Sequence, residues 1–192
     1  MPRVRSVSDE KIVIAALSLI AKRGTAMTLA EVGDEVGLSA ATVVQRFGSK
    51  RALKLEIARI WARLPTPHFH GPGTPIERLY AGLASTLKMV QTPDHVNNMM
   101  AVLHVDLVDD AFRTIIQESL RYNREMIRGV LQEALEAGDL RSCDTHELAG
   151  QVQVVGFGAL HVWAIQPDGD PVEHVVDHAR LLIDAYRPVS AV

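Results

Sequence analysis

The sequence predicts an all-α protein of about nine helices. Three observations lead there. Apolar residues return at i, i+3, i+4 and i+7 in segment after segment; capping residues stand just before those segments, with Gly or Pro just after; and no run alternates as a strand would. With 192 residues, 47% of them hydrophobic, the chain can bury a good core in one or two compact units.

Each helix has its own warrant. Ile12, Ala15, Ala16, Leu19 and Ile20 share one face of the first, Ser8 caps it, Asp9 and Glu10 sit at the positive end of its dipole, and Gly24 stops it. Thr28 opens TLAE, a capping box with Glu31, and Leu29, Val32 and Val36 form the short apolar stripe of a second helix that ends at Gly37. Gly33 inside that helix weakens it by up to about 1 kcal/mol and leaves room for the first helix to pack close. Ser39 caps a third helix from Ala40, so only Gly37, Leu38 and Ser39 join helices two and three, which forces an angled pair. Gly48 and Ser49 break the chain again before a fourth helix, Lys50 to about Leu64, with Leu53, Ile57, Ile60 and Trp61 along it.

The stretch PTPHFHGPGTP, residues 65–75, cannot continue a helix and reads as a linker or rigid turn. TPIE then starts a fifth helix, with Pro75 at its first position and Ile76, Leu79, Tyr80, Leu83, Leu87 and Val90 on one side; it stops before Pro93. A sixth rises from Asp94 through Val96, Met99, Met100, Leu103 and Leu107, and Asp109 and Asp110 start a seventh of about thirty residues that Gly138 closes. DTHE at 144–147 and DPVE at 170–173 start the eighth and ninth, which end before Pro167 and Pro188. The expected division is a small helical domain over 1–50, a connecting helix over 51–64 and a larger helical domain over 65–192.

A formal net charge of -3 conceals two unlike parts. Residues 1–64 hold eleven Lys or Arg against six Asp or Glu, a balance of +5, whereas 65–192 hold nine against seventeen, a balance of -8. A basic front on an acidic body is the footprint of a front that meets a polyanion such as DNA. The third helix fits that role. A helix entering the major groove must be small where backbone and groove wall approach and polar where base edges lie. In GLSAATVVQRFGSK, Ala40 and Ala41 meet the first need, while Gln45 suits adenine and Arg46 suits guanine or a phosphate. Thr42 reaches a phosphate, Thr28 is first a cap and second a phosphate contact, and Lys50 with the free amides of the fourth helix makes another anionic clamp. Val44 offers only an apolar contact, to a thymine methyl; Val43 and Phe47 belong to the core.

These first sixty-odd residues resemble the DNA-binding domain of TetR-family transcriptional regulators. The Ala15 and Ala16 helix ending at Gly24, TLAEVGDEVGLS, Thr42 and FGSKRAL from Phe47 to Leu53 carry the resemblance. It implies a three-helix DNA-binding domain with a helix-turn-helix, then a larger helical ligand-binding and dimerisation domain. It also implies a sequence-specific regulator, by family habit a repressor, that a small molecule releases from its operator. Beyond the fourth helix the likeness rests on helix number, helix lengths and the EAGDL turn. Two positions depart from the family pattern: Val44 stands where a Tyr usually supports a phosphate contact, and Gly33 where alanine is usual.

One short helix reads few base pairs, so a homodimer on a pseudo-palindromic DNA operator is expected. Its interface is placed on the last two helices, where Gly150, Gly156 and Ala159 allow close approach and Val175, Ala179 and Leu182 add apolar surface. The resemblance also implies a cavity among helices five to eight for an unknown small-molecule effector. Met99, Met100, His104, Phe112, Tyr122, Met126 and Trp163 are candidates to line it, and the same residues fit plain core.

Other classes have thinner support. A non-specific or architectural DNA-binding protein would share the basic front but would show steep salt dependence with little sequence preference. For a metal-dependent enzyme, His174 and His178 sit one turn apart with Asp177 between, and His68 and His70 lie in the linker, yet no third ligand is fixed by spacing. No nucleophile motif, phosphate loop or catalytic carboxylate pair emerges, so neither an enzyme nor a cofactor nor a metal is expected. The single cysteine, Cys143, excludes an intrachain disulfide framework and fits a reducing compartment. No apolar run approaches the roughly 18 residues of a membrane span, and MPRVRSVSDEK turns acidic where a signal peptide would turn apolar. The expectation is a soluble cytoplasmic protein with no membrane partner.

Overall fold

The computed structural model describes residues 7–62, 67–88 and 90–188, and only the backbone of Trp61, Pro67 and His68. The basic residues Arg3 and Arg5, the expected helix end at Leu64, the linker start at Pro65 and Thr66 and the side chains of Trp61 and His68 lie outside the described residues. Among the described residues there are nine α-helices and no strand: α1 (Asp9–Arg23), α2 (Leu29–Val36), α3 (Ala40–Phe47), α4 (Lys50–Ala62), α5 (Pro75–Thr86), α6 (Pro93–Asp106), α7 (Asp110–Glu136), α8 (Thr145–Ile165) and α9 (Pro171–Asp184). Short 3₁₀ turns, Gly24–Ala26 and Pro67–His70, were not expected.

Packing divides the chain into two compact units, residues 1–63 with 94–117, and residues 64–93 with 118–192. In the first, α1 buries Ile12, Val13, Ala16, Leu19 and Ile20 against Met27, Val32, Val43, Leu53 and Ile57, and α6 adds Val102 to the same core. Asn98 on α6 ties itself to the end of α1, its side-chain amide donating to the Ala21 carbonyl at 2.9 Å. Leu55, Ala58 and Phe112 form a smaller cluster with Leu103, Ile115 and Ile116. In the second unit, α5, α8, α9 and the later part of α7 enclose Leu79, Ile127, Leu131, Ala134, Leu148, Val152, Ala179 and Ile183.

Two expectations need correction. Helix α5 ends at Thr86, so Val90 is buried beyond the helix instead of on it. The hydroxyls of Ser85 and Thr86 donate to the carbonyls of Gly82 and Leu83, at 2.8 and 2.7 Å, and compete with the next turn's amides. The Leu87 amide then tightens onto Ala84. Helix α8, at 21 residues, is after all long and apolar enough to cross a membrane by length and composition. Gln151, Gln153 and His161 break the run as read residue by residue, yet they are outweighed along the helix by its Val, Leu, Ala, Phe and Trp.

Candidate nucleic-acid interface

The reading surface is built by caps. Thr28 and Glu31 close the expected box at the start of α2: the Glu31 amide donates to the Thr28 hydroxyl at 3.2 Å, and the Thr28 amide donates to the Glu31 carboxylate at 2.8 Å. The Thr28 hydroxyl also donates to that carboxylate, and these bonds hold the Glu31 carboxyl below the usual carboxylate range. Arg23 adds an ion pair to Glu31 at 3.2 Å. Gly37, left-handed at φ 71°, ends α2, and the Leu38 amide turns back to the Gly33 carbonyl at 2.8 Å. A Cβ on Gly33 would lie 2.5 Å from the Leu38 carbonyl oxygen. The glycine therefore makes room first for the turn between α2 and α3.

Ser39 then caps α3. Its hydroxyl accepts from the Thr42 amide at 3.2 Å and is hydrogen-bonded to the Thr42 hydroxyl at 2.9 Å. Val43 is fully buried and fixes the rotation of α3 on the core. Ala40, Ala41, Val44 and Gln45, at i, i+1, i+4 and i+5, consequently share the outward face and are all exposed. Thr42 and Arg46, one turn apart, flank it. This arrangement offers a small apolar approach surface with Gln45 as its polar tip, and Val44 exposed beside it.

The two cations are not free arms. Arg46 donates to the Val7 carbonyl at 2.7 Å and pairs with the Asp9 carboxylate at 2.5 Å. The Lys50 ammonium donates to the Thr25 carbonyl at 2.7 Å. Sequence reasoning placed both residues on the surface but missed these partners, and it gave Asp9 only a helix-dipole role. It also missed Lys54–Asp106, which joins α4 to the end of α6, and Arg51–Asp109, which joins α4 to the residue just before α7, both within the first unit. No local spacing signals pairs more than fifty residues apart.

A family model described as bacterial regulatory proteins, tetR family, matches residues 12–57, the segment that folds into this surface. Over that segment the chain carries a TetR-family domain. A TetR-family transcription regulator from Haloarcula marismortui matches with a TM-score of 0.77 and 18% identity, covering 94% of this chain and 98% of that one. A transcriptional regulator from Saccharomonospora viridis in complex with choline matches at 0.74 and 23%, covering 92% and 95%. The reduced form of NemR from Escherichia coli matches at 0.74 and 19%, covering 94% and 99%. These likenesses establish the all-helical fold over nearly the whole chain. No curated protein matches it.

The remaining candidate residues are scattered. Of those expected at a dimer interface, Ala159, Val175 and Ala179 are buried inside the chain, Leu182 is half-buried against the core, and Gly150 faces the Arg124 guanidinium. A Cβ on Gly156 would stand 3.8 Å from a Val175 methyl, in ordinary contact between α8 and α9. The outward face of α8 carries a different set, Val154, Phe157, Val162 and Ile165, all exposed, and α9 exposes Leu181. Of the residues expected to line an effector cavity, Met99, Met100, His104 and Phe112 belong to the first unit and Tyr122, Met126 and Trp163 to the second. Phe112 is buried in the small cluster, Trp163 is buried with its indole donating to the Gly169 carbonyl at 3.2 Å, and His104 and Tyr122 are exposed. An open groove of about 500 Å³ in the second unit is lined instead by Tyr80, Ala81 and Ala84 of α5 and Val172, Glu173, Val176, Asp177 and Arg180 of α9. The ring centres of His174 and His178 lie 4.5 Å apart with the planes tilted by 42°, and among the described residues no three His, Cys, Asp or Glu side chains converge on one point.

Proposed function

We propose that this TetR-family regulator is a sequence-specific, cytoplasmic repressor that binds a pseudo-palindromic operator as a homodimer and is released by a small molecule. The observation that carries the reading is the outward face of α3: Ala40, Ala41, Val44 and Gln45 exposed together, with Thr42 and Arg46 at its flanks, Lys50 opening α4 and Thr28 heading the preceding helix. Residues 1–50 are the reading head, 51–64 connect it, and 65–192 regulate and dimerise. Selection of bound duplexes from a random pool, followed by competition with unselected DNA, tests it. A recovered inverted repeat whose binding resists competition supports the reading, and Gln45→Ala should relax preference at one position per half-site. Equal competition by random DNA would make the chain an architectural DNA-binding protein instead.

The dimer is assigned to the exposed stripe of α8. Val154, Phe157, Val162 and Ile165 recur at i, i+3, i+8 and i+11 on one helical face, with Leu181 of α9 also exposed. This apolar face, with Gly158 and His161 exposed among the larger side chains, suits a second copy of itself across a two-fold axis.

Effector control is the third element. One similar structure holds choline, and the groove between α5 and α9 has room for a molecule of that size. Its Tyr80 ring already attracts a cation, the Arg180 guanidinium standing 5.3 Å from the ring centre. Titration of operator complexes with choline and with uncharged apolar compounds tests this element; operator affinity unmoved by every compound would remove it.

A further inference from the structure

Arg46 is the single guanidinium on α3, and in the DNA-free chain its charge is already met. One amino group donates to the Val7 carbonyl and the other pairs with the Asp9 carboxylate. The two partners differ in kind. Val7 offers a neutral carbonyl just before α1, whereas Asp9 offers an anionic oxygen at 2.5 Å, the kind of acceptor a phosphate oxygen also is. Asp9 is 67% exposed and Arg46 29%. The carboxylate is therefore free to swing away at little cost, while the guanidinium is held in place.

We infer that Asp9 is an internal stand-in for a DNA phosphate at Arg46, a competitor that holds down the affinity of the reading head. The inference rests on the DNA-binding reading and adds an affinity-setting residue that touches no base. Before a backbone phosphate can reach Arg46, it must displace the Asp9 carboxylate or share the guanidinium with it. The Val7 bond keeps Arg46 oriented throughout, so removing Asp9 leaves a poised cation. Exposed pairs of this kind stabilise a fold very little, because solvent screens them. The pair's consequence therefore falls on binding.

The test is binding of the full chain to a random-sequence duplex, by fluorescence anisotropy over a series of salt concentrations. Asp9→Asn should tighten binding by roughly three- to tenfold at low salt and steepen the slope of log K against log salt by about one phosphate's worth, ~0.9. Asp9→Ala, which also keeps the Ser8 cap, should do the same. Glu10→Gln removes an equal charge from the next residue and should leave the slope unchanged. In an Arg46→Ala background the effect of Asp9→Asn should vanish, as a direct coupling requires. The inference is overturned if Asp9→Asn merely matches Glu10→Gln, if its effect persists without Arg46, or if it weakens binding while the melting curve is unchanged, which would make Asp9 a positioning residue. A native chain that binds no duplex at any salt overturns this inference and the DNA-binding reading together.

Discussion

Lys54 on α4 donates to the Asp106 carboxylate on the last turn of α6, and the second oxygen of that carboxylate, Oδ2, is buried with no hydrogen-bond partner among the described residues. The two side chains are only 18% and 12% exposed. One turn back on α4, Arg51 grips Asp109 through two bonds of 2.5 and 3.0 Å, in a much more open setting. The inner pair has paid most of the desolvation cost, so breaking one side strands a charge in a poor solvent. Asp106→Ala should lower unfolding stability by about 3 kcal/mol, read from urea titration, and Arg51→Ala should cost clearly less. Exchanging both inner partners, Lys54→Met with Asp106→Leu, should recover most of the loss. An Asp106→Ala chain as stable as the native one would show that the pair contributes nothing.

Gly33 makes a prediction with an unusual sign. Glycine inside a helix is ordinarily a weakness, and replacement by alanine should add up to about 1 kcal/mol. Here the new Cβ would meet the Leu38 carbonyl oxygen at 2.5 Å and the Ser39 carbonyl carbon at 3.2 Å, both backbone atoms of the tight turn. Overpacking against backbone costs about 1 to 3 kcal/mol, so Gly33→Ala should destabilise on balance. It should also weaken operator binding more than stability alone explains, because the turn sets the angle of α3. A raised melting temperature with unchanged binding would mean that the turn relaxes freely.

The difference between what was legible in the sequence and what was not follows from the range of the forces involved. Caps are local, so Thr28 with Glu31, Ser39 with Thr42 and the left-handed Gly37 placed α2 and α3 within a residue. The exposure of Ala40, Ala41, Val44 and Gln45 followed from Val43 pointing inward, again within one helix. The partners of Arg46 and Lys54 were not legible, because they depend on the rotation and register of helices far apart in the chain. Helix α8 failed for another reason. Both its faces are apolar, so periodicity cannot tell the face that packs on α9 from the one left open, and small residues such as Ala159 that suggest close approach to a second copy are buried within the chain.

Acid should loosen the fold through its caps. The Thr28 hydroxyl and amide hold the Glu31 carboxyl below the usual range, the Thr74 amide and hydroxyl do the same for Glu77, and the amides of Glu147 and His146 do so for Asp144. A carboxyl whose pKa is lower folded than unfolded adds stability above the ordinary value, near pH 4. That contribution is lost as pH falls through the ordinary value toward the depressed one. The melting temperature should therefore drop between about pH 5 and pH 3, and Thr28→Val, which removes the leading cause at Glu31, should make the drop shallower. A pH-independent melting temperature across that window would contradict the capping assignment.

The outward face of α8 carries the dimer prediction. Phe157 is 49% exposed and Leu181 72% exposed in the single chain, so a charged residue at either position need not disturb the inner core built on Leu148, Val152 and Ile183. Across a two-fold interface the same charge would be buried twice without a partner, at several kcal/mol. The native chain should sediment as a dimer at micromolar concentration, and Phe157→Glu as a monomer with unchanged helical circular dichroism. Operator affinity should then fall by on the order of a hundredfold, because the second reading head no longer binds at high effective concentration, while affinity for an isolated half-site stays the same. A Phe157→Glu chain that still sediments as a dimer would move the interface off this face, and a monomeric native chain would remove the dimer altogether.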